Sequence, residues 1–177
     1  MKAFTKIIMF VSLAATIGCG NHTDGKLTKV KSVDDVIFQV QYKKDINFSD
    51  HQINESGGLN FLLSISSSQQ DQNIIYRGIQ NEEALRNRIY FLNFRFEELI
   101  QLKVGNKAIF PSLCILESTN QLSNNLRFVL AFDEGLSDLA VEEIDLLVMD
   151  MVFETGIHHF SFSKKEMLEF SPINKAS

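Results

Sequence analysis

The sequence has no tryptophan, only two prolines and only two cysteines in 177 residues. So little proline, with nine glycines, excludes a collagen-like or proline-rich chain. Two cysteines, Cys19 and Cys114, allow one disulfide at most, which excludes a cystine-stapled fold. Positive charge is also scarce. There are 17 Lys and Arg against 22 Asp and Glu, for a net charge of −5. Lys2 and Lys6 precede any acid; without them the chain carries 15 basic and 22 acidic side chains. Phosphate binding needs a basic surface, so no nucleic-acid partner is expected. An electrostatic grip on anionic lipid headgroups is equally unexpected. No apolar run approaches the roughly 20 residues that a membrane-spanning helix requires.

What the chain does have is bulk. Hydrophobic residues make up 45% of it and include 15 Phe. This length and composition suit one domain with a sizeable core. Period-two alternation, which puts one face of a strand on a core, recurs along the sequence. Val36, Phe38, Val40 and Tyr42 form one set, and Leu59, Phe61, Leu63 and Ile65 a second. Tyr90, Leu92, Phe94 and Phe96 read as a third, Leu126, Phe128, Leu130 and Phe132 as a fourth, and His158, Phe160 and Phe162 as a fifth. Gly105-Asn106 between apolar runs predicts a hairpin, because Gly takes positive φ without steric cost, and Pro111 then ends that strand. Asn81 to Arg86 reads as a short helical turn, and Ser163-Lys164-Lys165-Glu166 as a capping box. Residues 137–151 suit either a helix or a strand; a loop to Glu142 followed by a strand fits better. The expected fold is all-β: an antiparallel, immunoglobulin-like β-sandwich of about eight strands with one or two short helices.

The leader, Met1 to Gly18, differs from the rest. Lys2 and Lys6 give a positive start, and Ile7 to Ile17 form an apolar run. Gly20 to Lys26 then turn polar at once. Such a run is too short to span a bilayer and fits a cleaved signal peptide. Its end, Thr16-Ile17-Gly18-Cys19, resembles the lipobox of bacterial lipoproteins, with Thr16 where Leu is commoner. The resemblance is confined to the leader and the residues just after it. It implies cleavage between Gly18 and Cys19, a diacylglyceryl group on the Cys19 thiol and an acyl chain such as palmitate on the new amino group. Gly20, rather than Asp, points to the outer rather than the inner membrane. The expected organisation is a signal peptide over 1–18, a polar tether over 19–33, a sandwich domain over 34–171 and a tail over 172–177. Further on, Arg88 to Phe94, Ile109-Phe110-Pro111, Leu126 to Phe132 and Gly156 to Phe162 resemble small lipoproteins of the Bacteroidetes. That family has no assigned activity, so no functional residue carries over from it.

Candidate chemistry in the mature part is sparse. His158 and His159 are strand neighbours that point to opposite faces, which makes a shared metal unfavourable. Asp150, Glu154 and His158 would align on a helix, but Gly156 and the flanking Phe residues favour a strand. Asp133, Glu134, Asp138, Glu142, Glu143 and Asp145 form an acidic edge whose spacing misses the calcium-loop pattern. Cys114, among Leu113, Ile115 and Leu116, reads as a buried small hydrophobe. Neither a Gly-x-Ser-x-Gly elbow nor a phosphate loop is present. The Asn-x-Ser/Thr triplets at Asn21, Asn47 and Asn54 read as coincidence. Arg86, Arg88 and Arg95 lie near Tyr90, Phe91, Phe94 and Phe96, and form the one candidate binding surface. No catalytic residue, metal or cofactor is expected. The expected role is a non-enzymatic envelope module, held on a membrane by its N-terminal lipid, with a protein or carbohydrate partner. A secretion-machinery component or a small envelope hydrolase are the alternatives.

Overall fold

The computed structural model describes residues 26–44, 58–69, 72–117, 124–136 and 139–170. Gly18, Cys19, Asn21, Asn47, Asn54 and Asp138 lie outside these residues. Among the described residues, nine strands form two antiparallel sheets. The strands are β1 (Thr28–Val33), β2 (Val36–Lys43), β3 (Gly58–Ser67), β4 (Ile100–Val104), β5 (Lys107–Ile109), β6 (Leu113–Leu116), β7 (Asn125–Gly135), β8 (Glu143–Asp150) and β9 (Gly156–Ser163). The first sheet runs β1-β2-β3-β7-β6 and the second β5-β4-β8-β9. Two helices, α1 (Glu82–Phe94) and α2 (Lys164–Glu169), accompany them. The all-β sandwich expected from alternation is therefore present. Its strand order is its own, since β3 stays beside β2 instead of crossing to the opposite sheet.

The alternating residues are the ones that meet between the sheets. Phe38, Val40, Phe61, Leu63, Phe128, Leu130, Leu146, Val148, Phe160 and Phe162 share one buried cluster. Rings bridge the layers: Phe61 and Phe162 lie 5.2 Å apart, and Phe38 stacks on His158 at 4.2 Å. Residues 143–150 form a strand, as the loop-then-strand reading of 137–151 anticipates. Gly105, at φ 58°, turns β4 into β5, and Pro111 lies past the end of β5. Ser163 and Glu166 close the predicted capping box at the start of α2.

Two expectations need correction. The tether predicted over 19–33 ends earlier, because 28–33 form β1, paired with β2 from Thr28–Gln41 to Val33–Val36. Leu27 is already buried, and its carbonyl accepts from the Tyr42 N–H at 2.9 Å. The polar composition of this stretch reflects its place at a sheet edge. Lys29 and Lys31 reach over the Phe162 and Phe160 rings, covering the core with methylenes while keeping charge on an edge that would otherwise invite pairing. The second correction concerns 90–96, read as a strand. Residues 82–94 are helical. Asn81 caps the N-terminus by accepting from the Ala84 N–H at 2.8 Å, and Glu82 and Glu83 occupy the first turn, where the helix dipole favours acids. Phe96 belongs to a 3-10 turn, Phe96–Leu99, and stacks on Phe128 at 4.1 Å.

Candidate functional site

One end of the sandwich concentrates buried charge. Here β8 ends at Asp150 and β9 begins at Gly156, and the intervening turn folds around a single carboxylate. Asp150 Oδ1 accepts from the N–H groups of Val152 (3.0 Å) and Phe153 (2.9 Å). Asp150 Oδ2 accepts from the Thr155 N–H (3.1 Å) and from the Thr155 hydroxyl. Only 4% of Asp150 is exposed, so these four donors replace its hydration. The turn also needs two positive φ values, 62° at Glu154 and 88° at Gly156.

Thr155 passes the network on to His158, whose Nε2 lies 2.8 Å from Thr155 Oγ1. The hydroxyl proton is already committed to Asp150, so Nε2 carries the proton and donates to Thr155. His158 is 3% exposed and its ring lies on Phe38. Burial lowers its basicity, Asp150 partly restores it, and Lys31 and His159 lower it further. His158 thus faces inward and His159 outward, the alternation expected of neighbours on a strand. Asp150 and His158 do share one network, but the hairpin turn joins them rather than a helix face.

Two arginines tie this turn to the rest of the molecule. Arg77 Nε donates to Asp35 Oδ1 at 2.8 Å, in the turn between β1 and β2, while its Nη1 donates to the Phe153 carbonyl. One side chain therefore connects a hairpin of the first sheet with a hairpin of the second. Arg88, from the inner side of α1, donates to the carbonyls of Ile75 (3.0 Å), Arg77 and Val152 (3.3 Å) and sits over the Phe153 ring. Burial and the neighbouring Arg77 push its pKa below the usual arginine value, with Asp150 and Glu154 opposing.

The structure does not gather Arg86, Arg88 and Arg95 into one surface. Arg86 is exposed and pairs with Glu82 at 3.5 Å. Arg88 is turned inward and its donors are taken up by carbonyls. Arg95, at the C-cap of α1, holds Glu98 with two hydrogen bonds of 2.9 and 2.8 Å and lies over the Phe91 ring. What α1 exposes instead is apolar. Tyr90 is 59% and Phe94 65% exposed, their rings 5.1 Å apart, and Ile89 is exposed beside them. The signal for this face was present in the sequence as aromatics at i and i+4, but it shows only when the segment is read with helical spacing.

Cys114 lies on β6, half-buried against the core rather than fully buried; burial pushes its thiol pKa up to about 12, which disfavours the thiolate at neutral pH. The acidic edge is dispersed: Glu134 pairs with Lys107 at 3.0 Å, and Asp145 accepts from the Ser161 hydroxyl. Among the described residues, no three His, Cys, Asp or Glu side chains gather as a metal-binding group. No helix among them is long and apolar enough to cross a membrane. No protein-family model matches the chain, and neither curated proteins nor solved structures show significant similarity to it.

Proposed function

We propose that this chain is a lipid-anchored module of the bacterial cell envelope, cut before Cys19, that binds or assembles with an envelope partner and catalyses no reaction. The observation that carries this reading is the leader: two lysines, the apolar run from Ile7 to Ile17, Thr16-Ile17-Gly18-Cys19 and an immediate polar switch. Lipid on Cys19 gives attachment without a spanning helix, since each buried methylene contributes about 0.8 kcal/mol and two or more chains make binding stable. Anchoring confines the domain to a thin layer and raises its effective concentration for partners there. Gly20 favours the outer membrane. The aromatic face of α1 is the surface most suited to a protein partner, since exposed paired rings beside an Arg–Glu rim match the anchors found at protein interfaces. The acid and imidazole of the turn network have internal partners and serve to fix the turn.

Palmitate labelling with membrane fractionation tests the anchor. The native protein should take up label and sediment with membranes. Cys19→Ala should lose the label and either appear in the soluble fraction or persist as uncleaved precursor. Undiminished labelling of Cys19→Ala sinks the reading.

A further inference from the structure

We infer that the open edge of β9 is a docking strand for an extended segment of another protein, one that alternates acidic and apolar side chains. The inference goes beyond the α1 face and stands independently of the lipid anchor.

Its first ground is how the sheet edges differ. A strand edge presents unpaired N–H and C=O groups, and proteins blunt such edges with short strands, lysine or proline. β5 is three residues long and carries Lys107, β6 has four residues, and β1 carries Lys29 and Lys31. β9 is eight residues long and holds no Lys, Arg, Asp, Glu or Pro. Among the described residues its one strand neighbour is β8.

The register shows which groups are left over. The Lys164 N–H bonds to the Glu142 carbonyl at 2.7 Å, in line with the pairing of Glu143 with Ser163. Antiparallel ladders alternate bonded and non-bonded pairs. His158, Phe160 and Phe162 therefore bond toward β8, while Ile157, His159 and Ser161 turn their N–H and C=O groups outward. The Ser163 N–H also turns outward, but the Glu166 carboxylate takes it at 3.1 Å. Ile157, His159 and Ser161 remain for an added strand, whose main-chain hydrogen bonds supply affinity without regard to sequence.

Sequence choice comes from the two faces. On the inner side, the residues of an added strand opposite Phe160 and Phe162 meet the ammonium groups of Lys31 and Lys29, each 5.8 Å from its ring centroid. Lys29 already holds Glu166, whereas Lys31 has no carboxylate partner among the described residues. An acid placed there matches a cation that the fold leaves unpaired. On the outer side, Ile157 is 62% exposed beside Met149 and favours an apolar neighbour. A second copy of this chain fits less well. Edge to edge, it brings its own Lys29 and Lys31 to the same seam, and like charges repel there.

The test uses the full-length protein in neutral detergent, with amide exchange resolved by residue in NMR spectra. The probes are two short peptides, one alternating valine with glutamate and one alternating valine with lysine. The glutamate peptide should slow exchange at Ile157, His159 and Ser161 several-fold and leave the β1, β5 and β6 edges unchanged. It should also bind about tenfold more tightly than the lysine peptide, and Lys31→Glu should remove or invert that preference. His159→Pro deletes one outward donor without touching the β8 ladder, and should weaken the glutamate peptide several-fold. Should the proline unfold the hairpin, Lys31→Glu still decides. Equal binding of the two peptides, slowing at another edge, or no slowing at β9 overturns the inference. So does a concentration-dependent dimer, seen by sedimentation, in which the same amides slow without peptide; that outcome assigns the edge to a second copy.

Discussion

At one end of the sandwich, Arg77, Arg88 and Asp150 join two hairpins and α1 through charged hydrogen bonds. At the other, the near end, where the described chain begins, α2 closes the layers with the buried Met167, one capping box and two surface ion pairs, Lys29–Glu166 and Lys165–Glu169; the Asp150 end is the far end. Both ends seal the same core, by different means. The far end depends on single atoms with exact partners, so removing one side chain strands several others. The near end depends on apolar contact and local helix capping, which degrade gradually. Removal of polar groups should therefore act more strongly at the far end.

The largest effect expected is at Asp150. Asp150→Ala leaves the N–H groups of Val152, Phe153 and Thr155 without their acceptor and should cost about 3–4 kcal/mol. Asp150→Asn keeps one acceptor oxygen and should cost roughly half as much. Urea denaturation measures both, and equal losses would deny that the carboxylate organises the turn. Arg88→Ala comes next, at about 2–3 kcal/mol, through three carbonyls left unpaired and a lost ring contact. Its loss should also loosen α1, seen as faster amide exchange over 82–94 relative to β2 and β3. Ser163→Ala at the near end should cost only about 1 kcal/mol, the ordinary worth of an N-cap. A larger loss than at Arg88 would invert the contrast between the ends.

The smallest effect expected is one of pH. His158 titrates below its ordinary value of 6.5 in the folded protein, chiefly because of burial. Above that ordinary value both states are neutral there and nothing is lost. As pH falls through 6.5, the unfolded chain takes up a proton that the folded chain refuses, so stability declines toward the lower folded pKa. Comparing urea midpoints between pH 8 and pH 5, wild type should lose more than His158→Gln. Parallel curves would remove His158 from the account.

The strands were legible where one face is buried. β2, β3, β7 and β9 announce themselves through Phe38, Phe61, Phe128 and Phe160 because period-two burial leaves its mark in composition. β1 was hidden because it is an edge strand: Lys29 and Lys31 do the covering, and lysine reads as solvent. The segment 90–96 misleads because Tyr90, Leu92, Phe94 and Phe96 also alternate. Asn81, the two glutamates after it, and Leu85, Arg88 and Leu92 at helical spacing were the countersignal. The far-end clamp was not legible at all. Arg77 meets Asp35 and Phe153 across long stretches of intervening chain, and no local pattern records such pairing. The leader proposed for residues 1–18, in contrast, is read entirely from local sequence.

The order of the strands also sets a timetable. β1, β2 and β3 form a local meander, but Phe38 and Phe61 meet His158 and Phe162 of the last strand. β3 joins β7 only after α1, β4, β5 and β6 have been made, so loop closure delays even the first sheet. A growing chain therefore has little it can complete until β9 has been made. A chain cut short before β9 would leave Phe38 and Phe61 uncovered for solvent or for one another.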